Sequence, residues 1–252
     1  MSAPVSEAEK QWLQHFERKL DEMEGKGAFH TSFLDPRQLE LAESVLRNNA
    51  FFSYMVYGGY EKAERNVLNI FPAERQGELP PVEAVLVSWS KNEKLSHRDL
   101  LGAVMSVGLR RDQIGDIILS EDNQAAIIVS DSKGSYICSN LVQAGHVSLE
   151  CRVITPEELP LSGDEGREIK GTVASLRIDS VISLGFGVSR SRVVLLIKGG
   201  LVRVNWRPVN SPSFQLSEGD QVSLRGRGRL VLDTVEGETR KGRVRLKLKK
   251  YS

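Results

Sequence analysis

Within this chain of 252 residues, the run Ser189-Arg190-Ser191-Arg192 holds the residue types best suited to chemistry. Ser189 has the side chain of a helix N-cap, and Val193, Leu196 and Ile197 follow at helical spacing. A short helix is therefore expected from Arg190 to Lys198, ended by Gly199 and Gly200. Ser191, Arg192 and Lys198 fall opposite its apolar stripe, where Leu195 is out of pattern. Arg190 and Arg192 lie in the first turn, where the positive end of the helix dipole disfavours cations by roughly 0.3 kcal/mol or more. Free backbone N–H groups at a helix start, with two arginines added, suit a phosphate. A solvated charged face produces the same pattern, so both readings stand at this point.

More cations surround this run. Upstream, Ile178, Val181 and Ile182 make a second helical stripe that should leave Arg177 and Asp179 exposed, with Gly185 and Gly187 turning the chain toward Ser189. Downstream, Val202-Arg203-Val204-Asn205 reads as a strand entering a turn, with Arg207 just beyond. Arg225, Arg227 and Arg229 alternate with Gly226 and Gly228, and the following Leu230, Val231 and Leu232 favour ordered structure over a flexible tract. In the last strand Arg243, Arg245, Lys247 and Lys249 alternate with Val244, Leu246 and Leu248, so cations line one face, free to meet phosphate, and aliphatics the other.

The net charge of +1 hides a division. Residues 166–252 carry 18 Lys and Arg against 7 Asp and Glu, whereas residues 1–165 carry 16 against 26. The basic end is an electrostatic footprint for a polyanion, and the acidic remainder limits non-specific binding. No apolar run has membrane-spanning length and the first thirty residues lack a signal-peptide core, so a soluble intracellular protein is expected. Cys138 and Cys151 have no metal-ligand spacing and read as free buried thiols; His15, His30, His97 and His146 are scattered. No metal or cofactor is expected. There is no P-loop, no Gly-x-Ser-x-Gly elbow, and in Gly185-Phe186-Gly187-Val188-Ser189-Arg190 an arginine replaces the third glycine of a dinucleotide motif. Asp35, Asp99 and Asp116 read as caps and turn residues, so the chain is not expected to be an enzyme.

The elements that carry these residues fall into three expected domains, 1–76, 82–156 and 167–252, of α+β class. The N-terminal one is mainly helical. Ser6 and Glu9 form a capping-box pattern before Trp12, Phe16, Leu20 and Met23, and the helix stops near Gly25. Asp35, Pro36 and Gln38 start a second helix with Leu39, Ala42, Val45 and Leu46 as its buried stripe. Phe51 to Tyr57 reads as a strand, followed by a short polar helix holding Glu61, Glu64 and Arg65. The middle domain then reads strand 84–89, helix 97–107 capped by Ser96 and Asp99, strands 114–119 and 125–129, helix 132–144 and strand 147–154. That β-α-β-β-α-β order is ferredoxin-like, the layout of the RRM class of RNA binders, but strand 125–129 has none of the aromatics on which an RRM stacks bases. A scaffold or docking role is expected, with Arg110 and Arg111 either touching an RNA backbone or, as is commoner, lying in a solvated loop.

Taken in order, Arg177-Ile178-Asp179, Gly185, Ser189-Arg190, Ile197-Lys198-Gly199-Gly200, Val202-Arg203-Val204-Asn205 and Gly219-Asp220 resemble the S4 RNA-binding fold named for a ribosomal protein of the small subunit. Phe33-Leu34-Asp35-Pro36-Arg37-Gln38, Gly58-Gly59-Tyr60, Ala63-Glu64-Arg65, His97-Arg98-Asp99-Leu100-Leu101-Gly102 and Ile114-Gly115-Asp116 look like signature blocks of the YlmH family of S4-domain proteins. The resemblance implies a cytoplasmic bacterial, cyanobacterial or plastid protein that meets ribosomal RNA and tRNA on the large ribosomal subunit where translation has stalled. No membrane, no small-molecule substrate and a monomer are expected. RNA modification, ribosome assembly or regulation of RNA away from the ribosome are the alternatives. The expected RNA contacts are Arg177, Asp179, Ser189, Arg190, Ser191, Arg192, Lys198, Arg203, Asn205, Arg207, Arg225 and Arg227.

Overall fold

Capping boxes start both of the first two helices in this computed structural model, which describes residues 5–23, 27–120, 122–160 and 166–251. At the head of α1 (Glu7–Met23), Ser6 N donates to the Glu9 carboxylate at 2.6 Å and Glu9 N donates to Ser6 Oγ at 3.3 Å. After β1 (Phe29–His30), α2 (Pro36–Leu46) has Asp35 as N-cap and Gln38 closing its box. Phe16, Leu20, Ala42 and Leu46 bury against Leu68 and Ile70 of a strand. That strand, β3 (Val67–Pro72), lies between β1 and β2 (Phe52–Tyr57) in an antiparallel sheet.

The expected polar helix around Glu61, Glu64 and Arg65 does not form; residues 58–65 are turns and bends, and β3, which the sequence reading lacks, follows directly. The cause is Asp116. Its carboxylate accepts the amide N–H of Glu64 at 2.6 Å, that of Arg65 at 3.1 Å and the Tyr60 hydroxyl at 2.8 Å, which satisfies the loop backbone from outside and removes the need for helical bonds.

The next strands and helices are β4 (Val82–Ser88), α3 (His97–Ser106), β5 (Ile114–Ser120), β6 (Gln124–Ser130) and α4 (Gly134–Asn140). A small hairpin of β7 (Gln143–Ala144) and β8 (Val147–Ser148) leads to β9 (Glu150–Ile154). The sheet order β5-β6-β4-β9, antiparallel throughout, is the ferredoxin-like split arrangement. Helix 132–144 is shorter than the sequence suggests. Ser132 sits at φ +62 and cannot begin a helix, and the chain after Asn140 turns into the hairpin through Gly145.

One face of this sheet packs Val85, Val87, Ile127 and Val129 against Leu100, Val104 and Ile137 of the helices. The other face carries Ala84, Ala126, Ile128 and Ile154 and is covered by Phe33 and Val67 of the N-terminal segment together with Leu159. The fit is close, since a Cβ on Gly115 would lie 2.7 Å from the Phe33 ring. An RRM binds bases on that second face. Here the chain's own N-terminal segment occupies it, and residues 1–162 form one compact unit.

The second unit, residues 163–252, has its own core. It contains β10 (Arg167–Val173), α5 (Ile178–Phe186), α6 (Arg190–Lys198), β11 (Val202–Val204), β12 (Arg207–Pro208), β13 (Gln221–Leu224), β14 (Gly228–Glu238) and β15 (Val244–Tyr251). They make one antiparallel sheet in the order β10-β15-β14-β13-β11-β12. α5 and α6 are too short to hold in water alone. Ile178, Val181, Ile182, Val193 and Ile197 bury against Val202, Val222, Leu230, Leu246 and Leu248 instead, each such side chain contributing about 1.5–3 kcal/mol. Gly185 lets α5 lie directly on Leu230, whose Cδ1 would be 2.3 Å from an added Cβ. Gly187, at φ +64, ends α5, and the axes of α5 and α6 break by 116°.

Candidate nucleic-acid interface

The break between α5 and α6 brings three charged residues together. Arg177 is the N-cap position of α5, Asp179 lies in its first turn, and Arg190 opens α6. Asp179 is buried at 3% exposure, which corrects the expectation that it faces solvent. Its Oδ1 accepts from Arg177 Nε at 3.2 Å, and its Oδ2 accepts from Arg177 Nη2 at 3.4 Å and from Arg190 Nη2 at 2.7 Å. Burial by itself would raise the Asp179 pKa. The hydrogen bonds from Arg177 and Arg190 outweigh it and hold the carboxyl below the usual carboxylate range. Helical periodicity could not show this, because one of the two partners of Asp179, Arg190, lies eleven residues away across a turn.

The guanidinium groups themselves remain open, with side-chain exposures of 38% for Arg177 and 54% for Arg190. Beside them Ser189 caps α6, its Oγ accepting from Arg192 N at 3.4 Å and lying 3.2 Å from Ser191 Oγ. Ser189, Ser191, Arg192 and Lys198 are exposed, and so is Leu195 at 61%. The start of α6 thus presents a hydroxyl-lined, doubly cationic surface backed by a buried acid. Such a surface has the chemistry to take a phosphate, through charge-assisted hydrogen bonds from arginines whose orientation is already set.

Further candidates sit on the strands. Arg203 is exposed on β11, while Asn205 works within the fold. Its Nδ2 donates to Asp220 at 2.8 Å and its Oδ1 accepts from Gln221 N at 2.9 Å. Asn205 and Trp206, at φ +46 and +64, form the two-residue loop joining β11 to β12, closed by the Val204–Arg207 pair. A bulky residue in the left-handed region costs about 1–2 kcal/mol, and glycine is the usual choice there. The sequence reading missed Trp206; an Asn followed by a non-glycine in a two-residue loop was the available signal. Arg207 is partly buried beside Asn205 and Trp206. Arg225 and Arg227 lie exposed on the tight turn between β13 and β14, which uses Gly226 at φ +80. The Arg-Gly tract is therefore ordered, as a turn that flows into β14 rather than as a strand throughout.

The cations of β15 do alternate with buried Leu246 and Leu248. Acids of β14 take up the two lysines of that face, while Arg243 and Arg245 stay exposed. Lys247 pairs with Glu236 at 2.9 Å and Lys249 with Asp233 at 3.3 Å, both on β14. Arg243 donates to Thr172 O at 2.7 Å and Arg245 to Glu238 O at 3.1 Å. The acids lie on the neighbouring strand β14, which a pattern read along β15 alone does not show.

In the first unit, Arg110 pairs with Asp112 at 3.0 Å, and Arg111 is not a solvated loop cation. Arg111 Nη1 donates to Ile114 O at 2.6 Å, and burial, with Arg65 close by, lowers its pKa to about 10. Arg65 donates to Ile114 O at 3.0 Å and to Phe33 O at 2.9 Å, and burial lowers its pKa also. Cys138 and Cys151 are free and partly buried, and burial pushes the Cys151 thiol up to about 11. Among the described residues no group of three or more His, Cys, Asp or Glu is arranged to hold a metal, and no single helix is long and apolar enough to cross a membrane.

Comparison with known proteins matches this geometry. Residues 176–222 match the family model "S4 domain", and residues 85–158 match "Putative RNA-binding domain in YlmH". The chain is 35% identical over 219 residues to the "Ribosome-associated protein quality control protein P2" of Bacillus subtilis, spanning 86% of this chain and 84% of that one. Over 84 residues it is 37% identical to the small ribosomal subunit protein uS4 of an Anaeromyxobacter species, covering 32% of this chain and 40% of that protein. Its fold resembles the solved "Cell division protein ylmH from Streptococcus pneumoniae", with a TM-score of 0.53 at 20% identity over 63% of this chain and 99% of that one. Fold and matches together define an S4-domain RNA-binding protein. Within that class, the chain belongs to the YlmH family.

Proposed function

We propose that this chain is a non-catalytic RNA-binding factor that docks on the large ribosomal subunit, meets ribosomal RNA and tRNA there, and serves quality control of stalled translation. The observation that carries this reading is the Asp179-held arginine pair at the start of α6, with Arg192, Ser191 and Lys198 exposed on the same helix. A phosphate ladder engages that surface, whereas a catalytic centre needs convergent acids, bases or nucleophiles in a cleft. The Bacillus subtilis relative, ribosome-associated by name and similar over most of both chains, supports the cellular setting and with it a cytoplasmic location. The factor works as a monomer, through phosphate contacts that position it and RNA shape that selects the site.

The test is sedimentation of the tagged protein through a sucrose gradient at two salt concentrations, followed by sequencing of the RNA it retains. Comigration with the large subunit and recovery of tRNA is the expected result. Recovery of a discrete set of other RNAs away from ribosomes would replace this reading with a regulatory one. Mass spectrometry of ribosomal RNA from a deletion strain checks the non-catalytic part, since a single lost modification would make the protein a modifying enzyme.

A further inference from the structure

The β11–β12 loop has two residues, and a loop of that length joins antiparallel strands without splaying them only as a type I′ or II′ turn. Positive φ at both positions marks type I′, for which Asn-Gly is the unstrained solution. The first position conforms. Asn205 is locked to β13 through Asp220 and Gln221, so the turn has little freedom to relax. The second position holds Trp206 at φ +64, a conformation that a bulky aromatic side chain rarely adopts. Trp206 does not belong to the core cluster of this unit and is only partly buried, so core packing does not account for it. It stands between Arg203, which is exposed, and Arg207 in sequence, on the hairpin that ends the sheet at β12.

We infer that Trp206 is a stacking platform for an unpaired nucleobase of the bound RNA, held rigidly at the hairpin tip by the Asn205 lock. The inference rests on the RNA-binding reading above and adds the class of RNA element recognised: a loop or bulge with a splayed base, not a continuous helix. Bases stack on aromatic rings without regard to salt, whereas the arginines of α5 and α6 supply the salt-dependent part. The strained backbone sets the ring at the tip of a rigid turn, so little ordering is needed when a base arrives.

The experiment measures binding of the full chain, by fluorescence anisotropy over a salt series, to two labelled RNAs: a hairpin with an unpaired purine loop and a blunt duplex of the same stem. Trp206→Gly relieves the turn, so the variant folds with an unchanged or higher thermal midpoint. It is expected to lose about tenfold in affinity for the hairpin, with unchanged affinity for the duplex and an unchanged salt slope. Trp206→Phe should recover most of the loss. Wild-type affinity of Trp206→Gly for the hairpin, or an equal loss on both RNAs, overturns the inference and leaves the RNA-binding reading intact. Absence of salt-dependent binding to either RNA by the unmodified chain overturns both.

Discussion

Asp179 is buried behind the two arginines it holds, so on the proposed RNA-binding reading removing its charge should separate position from charge. Asp179→Asn keeps the shape of the side chain but weakens the bonds to Arg177 and Arg190, so the domain should lose about 1.5–3 kcal/mol in denaturant unfolding. RNA affinity should fall although the surface gains positive charge; an affinity gain would show that charge alone governs binding. Arg192→Glu with Lys198→Glu should sharply weaken binding while near-ultraviolet circular dichroism stays unchanged, because both side chains are exposed and neither holds Asp179. The acid dependence has a definite sign. The folded pKa of Asp179 is depressed, so its contribution is complete above the ordinary value of 3.8 and disappears as pH falls through the lower folded value. Glu9, held by Arg37 at 2.6 Å, follows the same rule: its pKa falls from 4.5 to about 2, against the effect of burial and because of the bonds from Arg37 and Ser6. Its share of stability is present above pH 4.5 and is lost toward pH 2. Binding should accordingly be flat between pH 5 and 8 in a titration of affinity. At this scale the sequence showed the residue types and most of their places, as with Ser189, Arg192 and the caps Asp35 and Ser96. It hid Asp179, whose burial depends on a residue beyond a turn.

Elements were legible where a local pattern suffices to bury a stripe, and illegible where a distant side chain supplies the backbone bonds. α2 and α3 begin at capping boxes and were placed to within a residue or two, and the apolar run 125–129 read as the strand that is β6. The segment 58–65 has the composition of a polar helix, yet Asp116 on β5 claims its amides and Arg65 claims the carbonyls of Phe33 and Ile114. The blocks that resemble the YlmH family meet here: Phe33, Tyr60, Arg65 and Asp116 are the joint that clamps the N-terminal segment onto the ferredoxin-like sheet. Cutting that joint should loosen one layer without unfolding the other. Arg65→Ala removes its donor from the Phe33 carbonyl, while Ile114 O keeps Arg111, and should cost about 1–3 kcal/mol. Hydrogen exchange should quicken in β2 and β3 while β4 and β6 keep their protection through the helix-side core. Uniform quickening across both sheets would mean that the unit opens as a whole and that the joint is not a boundary. Gly115→Ala tests the same contact by crowding the Phe33 ring and should destabilise in the same direction.

For the molecule as a whole, the charge division follows the structural one. The basic surplus lies in the unit from residue 163, which has its own core and the α5–α6 surface, while the acidic unit spends its RRM-like sheet face on its own N-terminal segment. The sequence showed the charge asymmetry and the ferredoxin-like order. It did not show the covered face, because nothing local in Ala84, Ala126 or Ile128 distinguishes a face packed on protein from one left for a ligand. This placement decides where the chain can be divided. Removing residues 1–80 would bare Ala84, Ala126, Ile128 and Ile154 and should give aggregation, not a working fragment. A cut at residue 163 respects the core, and the fragment 163–252 should fold and bind RNA with the salt slope of the full chain. If about six phosphates are engaged, that slope is near −5 on the double-helix scale, or roughly a thousandfold loss between 50 and 200 mM salt. The fragment should lose preference for ribosomes over bulk RNA in a competition pull-down, since phosphate contacts position a protein without choosing its site. Equal selectivity of fragment and full chain would move specificity into the S4 domain itself, and there the tip of the β11–β12 hairpin is the feature with the means to supply it.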